Sequence, residues 1–424
     1  MTAGASYDVV VVGGGPGGSS AATFLARGGL RVAVLEREAF PRFHVGESLM
    51  PATMLVLDHL GAREAVEASG FQVKYGATFA DEGTGASQTF YFLSGQAWPN
   101  YSYQVPRAEF DTILLDNARK HGVDVYQPAT AEAVSFDATG VTLAATAGGE
   151  AMTVRAAVLV DASGRGGFLA SRIGHRTRLP NLGKVALFAH FRGADRLSGR
   201  EEGNIRIHVF DDGWFWWIPL AGDVTSVGAV LHARTVRSWT GSSEDLYAEM
   251  IRRCHPVAAG LTRAERISPL HREANFSYRN APVVGDRFLA VGDAVAFVDP
   301  IFSGGVYVAM RTGQLAAEAV LKAFARGRFK ASAFAAYERQ VWRGVAPLFR
   351  FIHKYYAPAF FDLFLHPRDS FGIYPAVLNV LSGGSFIRMR WRTRLSLNLL
   401  FVFARIKTWA WRRAGRPVQS RLEW

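Results

Sequence analysis

A glycine-rich turn and a later carboxylate form the clearest group of residues in this sequence that could do chemistry. Gly13, Gly15 and Gly18 occupy a G-x-G-x-x-G pattern, and Glu36 follows about twenty residues further on. Gly13 allows a tight turn, Gly15 lets the backbone approach a pyrophosphate, and Gly18 lets a helix pack close to a strand. A carboxylate at position 36 can accept hydrogen bonds from both ribose hydroxyls and argues against the 2′-phosphate of NADP. The spacing therefore predicts a dinucleotide site at a helix N-terminus.

A tryptophan motif and a lysine are two further candidates. Trp214, Trp216, Ile218 and Pro219 spell Trp-x-Trp-x-Ile-Pro. Because tryptophan is rare, this spacing should arise by chance on the order of once in a thousand chains of this length. The alternative is an aromatic strand that only packs into a core. Lys74 follows apolar and aromatic residues, where a partly desolvated ammonium would have a lowered pKa, or else it is a lysine exposed on a strand.

The elements around the glycine-rich turn predict a βαβ unit. Residues 7–12 are a continuous, largely β-branched run, which is typical of a strand buried on both faces of a parallel sheet. Small residues at 19–28 predict a helix, and residues 31–35 predict a second strand that ends at Glu36. The turn therefore lies between a strand and a helix, which is the context that the dinucleotide interpretation requires.

Three later segments favour FAD over NAD. Arg107 begins Arg-x-x-Phe-Asp at a predicted helix start, where its guanidinium can reach the flavin edge or the phosphates. Asp161 ends another buried strand, and Asp293 ends a third, from which a carboxylate can reach a ribityl chain. In this order the segments resemble the FAD-binding fold of the para-hydroxybenzoate hydroxylase superfamily. The motifs and this resemblance together predict FAD contacts from Gly13, Gly15, Pro16, Gly17, Gly18, Glu36, Arg37, Glu47, Ser48, Arg107, Asp161, Gly292, Asp293, Pro300 and Gly305.

The predicted fold is α/β, with a Rossmann-like FAD-binding domain of the para-hydroxybenzoate hydroxylase type. Alternating, aromatic-rich patterns predict an α+β substrate layer with a mainly antiparallel sheet over the flavin, and the remainder predicts a helical C-terminal region. The predicted divisions are a discontinuous FAD-binding domain at 1–80, 104–180 and 275–330, a substrate domain at 81–103 and 181–274, and the helical region at 331–424.

With the tryptophan motif joined to the flavin segments, the chain resembles the flavin-dependent halogenases over most of its length. It is most similar to those that act on phenols and pyrroles, some of which are bound to carrier proteins. The resemblance implies that FADH2 and oxygen oxidise chloride or bromide to hypohalous acid, which a lysine delivers to an electron-rich arene. It assigns that lysine to Lys74, and it assigns Trp214 and Trp216 to a wall that separates the flavin from the organic substrate.

The resemblance also predicts a halide pocket. Residues 297–305 match the family pattern Phe-x-x-Pro-x-x-Ser-x-Gly, which places Ser303 in the catalytic machinery. Backbone N–H groups of Gly304 and Gly305, at the start of a predicted helix, would bind the halide. The alternative is a turn that contacts only the flavin. Tryptophan halogenases carry a glutamate before this serine, whereas this chain has Phe302, so free tryptophan is a poor candidate substrate.

Composition limits the compartment and the metal chemistry. The chain has 424 residues and one cysteine, which excludes internal disulfides and cysteine-based metal clusters and fits a reducing cytoplasm. No His, Asp or Glu group has metal-ligand spacing, so no metal is predicted. There is no secretory signal and no apolar run of the roughly 18 residues that a membrane-spanning helix needs. We therefore expect a cytoplasmic protein whose contact with a membrane, if any, is peripheral.

The net charge of +12 is concentrated near the C-terminus. The basic residues from Ser385 onward are Arg388, Arg390, Arg392, Arg394, Arg405, Lys407, Arg412, Arg413, Arg416 and Arg421. Because the rest of the chain is closer to neutral, a nucleic-acid groove is not expected. This aromatic, basic tail is consistent with a helix on anionic lipid, a face for an acidic acyl carrier protein, or a packed terminal helix with solvated arginines.

Two other functions remain open at this point. The chain could be a hydroxylase or reductase of the same flavoprotein superfamily, including the geranylgeranyl-reductase type, with Lys74 structural. It could also be a membrane-peripheral or carrier-docking protein that keeps FAD as a structural ligand. The halogenase hypothesis additionally requires a separate NAD(P)H-dependent flavin reductase, because only one nucleotide-binding unit is visible. Turnover that ignores halide would favour the hydroxylase or reductase.

Overall fold

The computed structural model describes residues 5–93, 96–179, 183–274, 277–297, 299–368, 370–387, 389–416 and 418. The predicted domain boundaries at 180/181 and at 275, together with Arg388 and Arg421 of the basic tail, lie outside the described residues.

The helices and strands are numbered in chain order. The helices are α1 (Pro16–Arg27), α2 (Thr53–Leu60), α3 (Arg63–Ala68), α4 (Arg107–Lys120), α5 (Ala233–Ser238), α6 (Ser243–Arg253), α7 (His255–Gly260), α8 (Gly305–Arg326), α9 (Ala331–Tyr355), α10 (Pro358–Leu365), α11 (Ile373–Leu381) and α12 (Trp391–Arg413). The strands are β1 (Ala5–Val12), β2 (Val32–Leu35), β3 (Gln72–Lys74), β4 (Gly76–Asp81), β5 (Ala86–Tyr91), β6 (Ser102–Gln104), β7 (Asp124–Tyr126), β8 (Ala129–Phe136), β9 (Val141–Ala147), β10 (Glu150–Asp161), β11 (His175–Arg178), β12 (Lys184–Arg192), β13 (Ile205–Phe210), β14 (Gly213–Pro219), β15 (Val224–His232), β16 (Glu265–Arg266), β17 (His271–Ala274), β18 (Tyr278–Ala281), β19 (Val284–Gly285), β20 (Phe288–Ala290) and β21 (Ala296–Phe297).

The first sheet carries the nucleotide-binding elements. Its strand order is β19-β20-β10-β1-β2-β7, and the pairs from β20 to β7 are parallel. The buried valines of β1 pack between layers, as a strand covered on both faces requires. Helix α1 packs against α8, and a Cβ at Gly313 would lie 2.4 Å from the carbonyl oxygen of Gly17, so the two backbones need glycine to approach this closely. The predicted βαβ unit is β1, α1 and β2.

The second sheet covers the nucleotide-binding layer. Its strand order is β16-β12-β15-β14-β13-β4-β5, with β17 paired to β12. All of its pairs are antiparallel except β13 with β4. Strand β4 begins at Gly76, so the predicted boundary between residues 80 and 81 falls inside this strand. Strands β3 and β6 form a separate two-stranded ribbon beside it.

The C-terminal region is helical, as predicted. Along α9 the buried side chains recur every three or four residues, which is the spacing of one helix face. Its Phe351 and Tyr355, with Phe364 of α10, pack against Phe302, and Phe364 also packs against Phe79 of β4. The C-terminal helices therefore close one side of the second sheet. Across the described residues, no helix is long and apolar enough to cross a bilayer.

Candidate active site

The glycine-rich turn follows β1 and is built from close backbone contacts. Gly13 has φ +103°, and a Cβ there would lie 2.3 Å from the carbonyl oxygen of Ala162. A Cβ at Gly18 would lie 1.8 Å from the carbonyl oxygen of Gly13, so α1 packs directly on the end of β1. Gly15 is the N-cap of α1 and Pro16 its first residue. The free N–H groups of the first turn of α1 therefore face the space above the turn.

Glu36 lies at the end of β2 with its carboxylate held by backbone. One oxygen accepts a hydrogen bond from the Gly14 N–H at 2.6 Å, and the other from the Glu38 N–H at 2.9 Å. An ionised carboxylate has about four acceptor positions, so both oxygens can also accept from ribose hydroxyls. The neighbouring Arg37 is exposed and paired with Glu38.

A cavity of about 660 Å³ extends from the glycine-rich turn to the tryptophan motif. The predicted site residues that line it are Gly13, Gly15, Pro16, Gly17, Glu36, Arg37, Glu47, Ser48, Arg107, Trp214, Trp216, Gly292, Asp293, Pro300, Ser303 and Gly305. Four predicted residues do not line it: Gly18, Lys74, Asp161 and Gly304. Gly18 lies behind the turn, in the packing role predicted for it.

Asp161 and Gly304 face other parts of the fold. The Asp161 carboxylate accepts hydrogen bonds from the N–H and Oγ of Ser163 at 3.0 and 2.5 Å and from the Leu169 N–H at 2.8 Å. Burial raises its pKa, although these hydrogen bonds favour the charged form. It therefore orders the loop after β10. A Cβ at Gly304 would lie 3.0 Å from Leu348 of α9, so this residue backs onto the C-terminal helices.

Two arginines meet one buried carboxylate beside the cavity. Arg107 forms a two-point hydrogen bond to Asp111 at 2.8 and 2.9 Å and also donates to the carbonyl of Val45. Arg42 lies 3.1 Å from the same carboxylate and 3.4 Å from the position of a Cβ on Gly15. Arg42 also lines the cavity. Sequence reasoning missed it, although its place next to the glycine-rich turn makes it the better placed of the two for a phosphate.

The floor of the cavity contains two carboxylates. Glu47 is buried and lies 2.6 Å from Nε2 of His190 on β12, a partner that its local sequence did not reveal. Asp293 follows the turn at Gly292, and burial raises its pKa to about 7. At neutral pH the Asp293 carboxyl can therefore be protonated and donate a hydrogen bond, which fits a hydroxyl-rich ligand.

Strand β14 presents the tryptophan motif as a wall. Because side chains alternate along a strand, Trp214, Trp216 and Ile218 line the cavity, whereas Trp217 packs into a separate core on the other face. Trp214 Nε1 donates to the hydroxyl of Tyr356 at 3.1 Å, and Trp216 Nε1 donates to Ser226 Oγ at 3.1 Å.

A glycine across the sheet makes room for one of these indoles. Gly228 pairs with Trp216, and a Cβ on this glycine would lie 2.2 Å from the indole ring. Neither Gly228 nor Tyr356 carries a signal in the local sequence, since each acts through a partner that is distant in the chain or across the sheet.

Lys74 is the last residue of β3 and is fully enclosed. Its side chain is 3% exposed, and its Nζ donates to Ser48 Oγ at 2.8 Å and to the Leu49 carbonyl at 3.1 Å. The ring of Phe92 lies 5.4 Å from Nζ. Burial lowers the pKa of Lys74 to about 7, as the sequence predicted in direction. Since Ser48 lines the cavity, Lys74 stands one side chain behind the cavity wall.

The predicted halide turn connects the cavity to α8. Residues 300–302 form a single 3₁₀ turn, and the Asp299 carboxylate accepts from the Ile301 N–H at 3.2 Å. Ser303 then adopts a left-handed conformation with φ +58°, and Gly305 begins α8. Phe302, where tryptophan halogenases carry glutamate, is buried among aromatic rings of the C-terminal helices.

These features fit FAD. Because Gly13 and Gly15 have no side chains, the turn leaves space for a ligand. The turn also lies at the start of a helix, where a pyrophosphate is stabilised. Glu36 can hold the ribose, and the cavity is long enough to continue to the tryptophan wall. Its volume is within the range of small-molecule and cofactor sites, about 300–1,000 Å³.

Comparison with known proteins decides the family. A family described as an FAD binding domain matches residues 6–347. The 1H-pyrrole-2-carbonyl-[peptidyl-carrier protein] chlorinase of Pseudomonas fluorescens is 34% identical over 374 residues, which cover 82% of this chain and 83% of the relative. The chain belongs to the flavin-dependent halogenases. It is thus an FAD-dependent oxidoreductase that uses FADH2 and a halide, and the predicted family, fold class and cofactor are confirmed.

Two further comparisons show the breadth of this halogenase family. The tryptophan 2-halogenase of Chondromyces crocatus is 36% identical over 341 residues, which cover 79% of this chain but 65% of the relative. The structure of the flavin-dependent brominase Bmp2 matches with a TM-score of 0.85 at 31% identity, covering 95% of this chain and 100% of that chain. Halogenases of different substrates and halides therefore share this fold.

Proposed function

We propose that this halogenase chlorinates or brominates a pyrrole-2-carbonyl group, or a similar electron-rich ring, tethered to a peptidyl carrier protein. The Pseudomonas fluorescens relative acts on such a group, and it matches this chain over 83% of its own length. A free-tryptophan substrate is less well supported, because the tryptophan 2-halogenase is matched over 65% of its length and Phe302 supplies no carboxylate beside Ser303.

The observation that carries the proposal is the placement of Lys74. Its Nζ is buried, bonded to Ser48 at 2.8 Å, and has a pKa lowered to about 7, so that about half of the side chain is a neutral amine at neutral pH. A lysine that only packs in a core gains nothing from such burial, since the cationic form is destabilised there. We infer that Lys74 takes up the oxidised halogen and presents it to the arene.

Other residues hold and separate the reacting groups. When bound, FADH2 would supply two electrons to oxygen and the halide the other two, so that one oxygen atom leaves as water and the other in hypohalous acid. Glu36, Arg42 and the first turn of α1 would hold the FAD ribose and phosphates, while Trp214 and Trp216 would keep the organic substrate away from the flavin ring. We also infer that Ser303 and the N–H groups at the start of α8 bind the halide, because a left-handed residue before a helix start makes an anion-binding turn.

We further propose that the reduced flavin comes from a separate NAD(P)H-dependent reductase. Two observations support this. The sequence contains one glycine-rich turn with a following carboxylate, and the cavity at this turn extends to the tryptophan wall. A nicotinamide nucleotide would otherwise have to share this space with FAD.

The test is the variant Lys74→Met, which keeps an unbranched side chain of nearly the same length and removes the amine. Purified protein is supplied with FADH2, oxygen, bromide or chloride, and a peptidyl carrier domain loaded with pyrrole-2-carbonyl. We expect halogenated product to fall by at least about a thousandfold while the FAD dissociation constant stays within about twofold. Lys330→Met, at an exposed lysine, is the matched control and should retain activity. Undiminished product in Lys74→Met would remove the lysine from the mechanism.

A further inference from the structure

Exposed apolar side chains are concentrated on the C-terminal helices. Of the ten large hydrophobic side chains that are exposed among the described residues, seven lie between residues 371 and 409. Five of these belong to α12 and are here called the exposed stripe: Trp391, Leu395, Val402, Ile406 and Trp409. A soluble protein seldom exposes apolar side chains in one group unless the group binds something.

The exposed stripe is one face of a helix whose opposite face is already packed. At 100° per residue the five side chains fall within about 60° of one another around the helix axis. They extend over about 27 Å, since each residue adds 1.5 Å. The buried side chains of α12, Leu397, Leu400, Phe401 and Ala404, lie on the opposite side and pack on the fold. Packing among the residues that the structure describes therefore leaves this stripe exposed.

The charged side chains of α12 itself are all of one sign. Helix α12 contains no acidic residue, and its basic residues are Arg392, Arg394, Arg405, Lys407, Arg412 and Arg413. Of these, Lys407 is paired with Asp362 of α10. The guanidinium groups of Arg392 and Arg413 lie 5.4 and 4.0 Å from the rings of Trp391 and Trp409, one at each end of the stripe. A partner for this face must be acidic at its rim and apolar at its centre.

A depression at the first turn of α12 is suited to a phosphate. It is lined by Met389, Trp391 and three arginines, Arg390, Arg392 and Arg394. Guanidinium groups are the side chains best matched to phosphate, because they donate two parallel hydrogen bonds and stay charged. Three of them around one depression favour a phosphodiester over a neutral ligand.

This depression is linked to the predicted halide turn through one aromatic contact. Phe386, just before α12, packs on Tyr307 with a ring separation of 5.8 Å. Tyr307 is two residues beyond Gly305, which lines the flavin cavity. Arg390 is four residues beyond Phe386, and four residues span at most about 14 Å. A phosphate held here would therefore lie in the segment that follows the contact between Phe386 and the first turn of α8.

We propose that the exposed stripe is the docking surface for an acidic carrier protein and that the arginine-lined depression receives the phosphodiester of its phosphopantetheine arm. This proposal rests on the proposed function, which requires a carrier-bound substrate. A second copy of this chain fits poorly, because it would bring one α12 helix without acidic residues against another. An anionic bilayer would also satisfy the charge, the apolar stripe and the arginines, since phospholipids are phosphodiesters too, but the proposed substrate is tethered to a carrier protein and not to lipid.

The first measurement is binding by the complete, FAD-loaded protein. The probe is a peptidyl carrier domain whose phosphopantetheine arm carries pyrrole-2-carbonyl, and its Kd is measured by fluorescence anisotropy. Two variants are compared with wild type: Arg390→Glu/Arg394→Glu, and Leu395→Ser/Ile406→Ser. The matched controls are Arg263→Glu and Ile173→Ser, which change an exposed arginine and an exposed isoleucine elsewhere.

We expect the Kd to rise about tenfold or more in both α12 variants and to stay within about twofold in both controls. In turnover, the KM for the carrier-bound substrate should rise while halogenation of a free 1,3-diketone, which reports hypohalous acid, is unchanged. Equal Kd values in the α12 variants and the controls, or no binding by wild type, would overturn the proposal. It is also overturned if the carrier Kd is unchanged while Leu395→Ser/Ile406→Ser abolishes binding to phosphatidylglycerol vesicles, or dimer formation.

The docking surface and the substrate assignment can fail separately. If the α12 variants weaken carrier binding but wild type does not halogenate the bound pyrrole, the docking surface is supported and the pyrrole substrate is wrong. If wild type halogenates the bound pyrrole with the same KM in all variants, the proposed function stands and the docking surface is wrong.

Discussion

The flavin cavity and the surroundings of Lys74 are built from opposite materials. On the flavin side, Trp214 and Trp216 face a cavity of about 660 Å³ lined by glycine backbone and charged groups. On the lysine side, behind Ser48, Lys74 is 3% exposed, and the ring of Phe92 lies 5.4 Å from its Nζ. One side is thus preformed for a large charged ligand, while the other holds one amine under strong desolvation. The difference separates a region that binds from a region that tunes a reactive group.

The largest effect should come from the backbone contacts of the flavin side. In Gly18→Ala the new Cβ would lie 1.8 Å from the carbonyl oxygen of Gly13, which is backbone and cannot rotate away. We expect the FAD dissociation constant to rise by at least about a hundredfold, as measured by flavin fluorescence. Gly183→Ala, whose Cβ would lie 3.8 Å from Ala233, should bind FAD normally. Tight FAD binding by Gly18→Ala would show that the turn can relax.

The flavin side could be predicted from sequence because its parts are local. Gly13, Gly15 and Gly18 lie within six residues, and their spacing alone defines a turn between a strand and a helix. Arg42 was not predicted from the sequence, because its position depends on Asp111, which contacts it only after α4 packs beside the turn. Asp161 was expected at the cofactor, but its carboxylate is already occupied by the loop that follows it.

The lysine side was less predictable, because its contacts come from distant segments. Lys74 was found through its local sequence, but its partner Ser48 reaches it through an isolated bridge between Ser48 and Gln104, on the strand that pairs with β3. Tyr356, which holds Trp214, is more than a hundred residues away in the chain. Long-range pairing of this kind leaves no periodic signal, so the wall could be predicted but not its supports.

The second-largest effect should be on the pH dependence of halogenation, which distinguishes the lysine side from the flavin side. If Lys74 acts as a neutral amine, its active fraction rises from about one tenth at pH 6 to about nine tenths at pH 8, given a pKa of about 7. We therefore expect single-turnover halogenation of the carrier-bound ring to increase about tenfold across this range. Oxidation of bromide, followed with a free 1,3-diketone, is the control for chemistry on the flavin side. A rate that falls through pH 7 would mean that the ammonium is the active form.

A smaller effect is expected when the wall itself is displaced. In Gly228→Ala the new Cβ would lie 2.2 Å from the ring of Trp216, which must move. We expect the ratio of halogenated product to FADH2 consumed to fall about three- to fivefold, because the organic substrate and the flavin are no longer separated. Gly260→Ala is matched to it: it crowds Trp217 at 2.6 Å on the opposite face of β14, away from the cavity, and should leave this ratio unchanged.

The smallest expected effect is on stability, and it tests the burial of Lys74 directly. Its folded pKa of about 7 lies below the ordinary value of 10.5, so between these values the unfolded chain binds more protons and stability rises with pH. The same pKa shift means that, at and below pH 7, the burial of this cation lowers the free energy of unfolding by roughly 4–5 kcal/mol. Lys74→Met removes that cost but leaves Ser48 and the Leu49 carbonyl without their donor, which costs about 1–3 kcal/mol each when buried.

The two costs are of similar size at pH 7, so we expect the Tm of Lys74→Met to be close to that of wild type there. Relative to wild type, the Tm of Lys74→Met should fall by a few degrees between pH 7 and pH 9, because wild-type Lys74 is neutral in the folded protein at pH 9 and less of its burial cost remains. Calorimetry of both proteins at pH 7 and pH 9 measures this, with Lys330→Met as a control for the loss of an exposed charge. A difference in Tm between Lys74→Met and wild type that is the same at pH 7 and pH 9 would mean that the pKa of Lys74 is not lowered by burial, and the contrast between the two sides would then be lost.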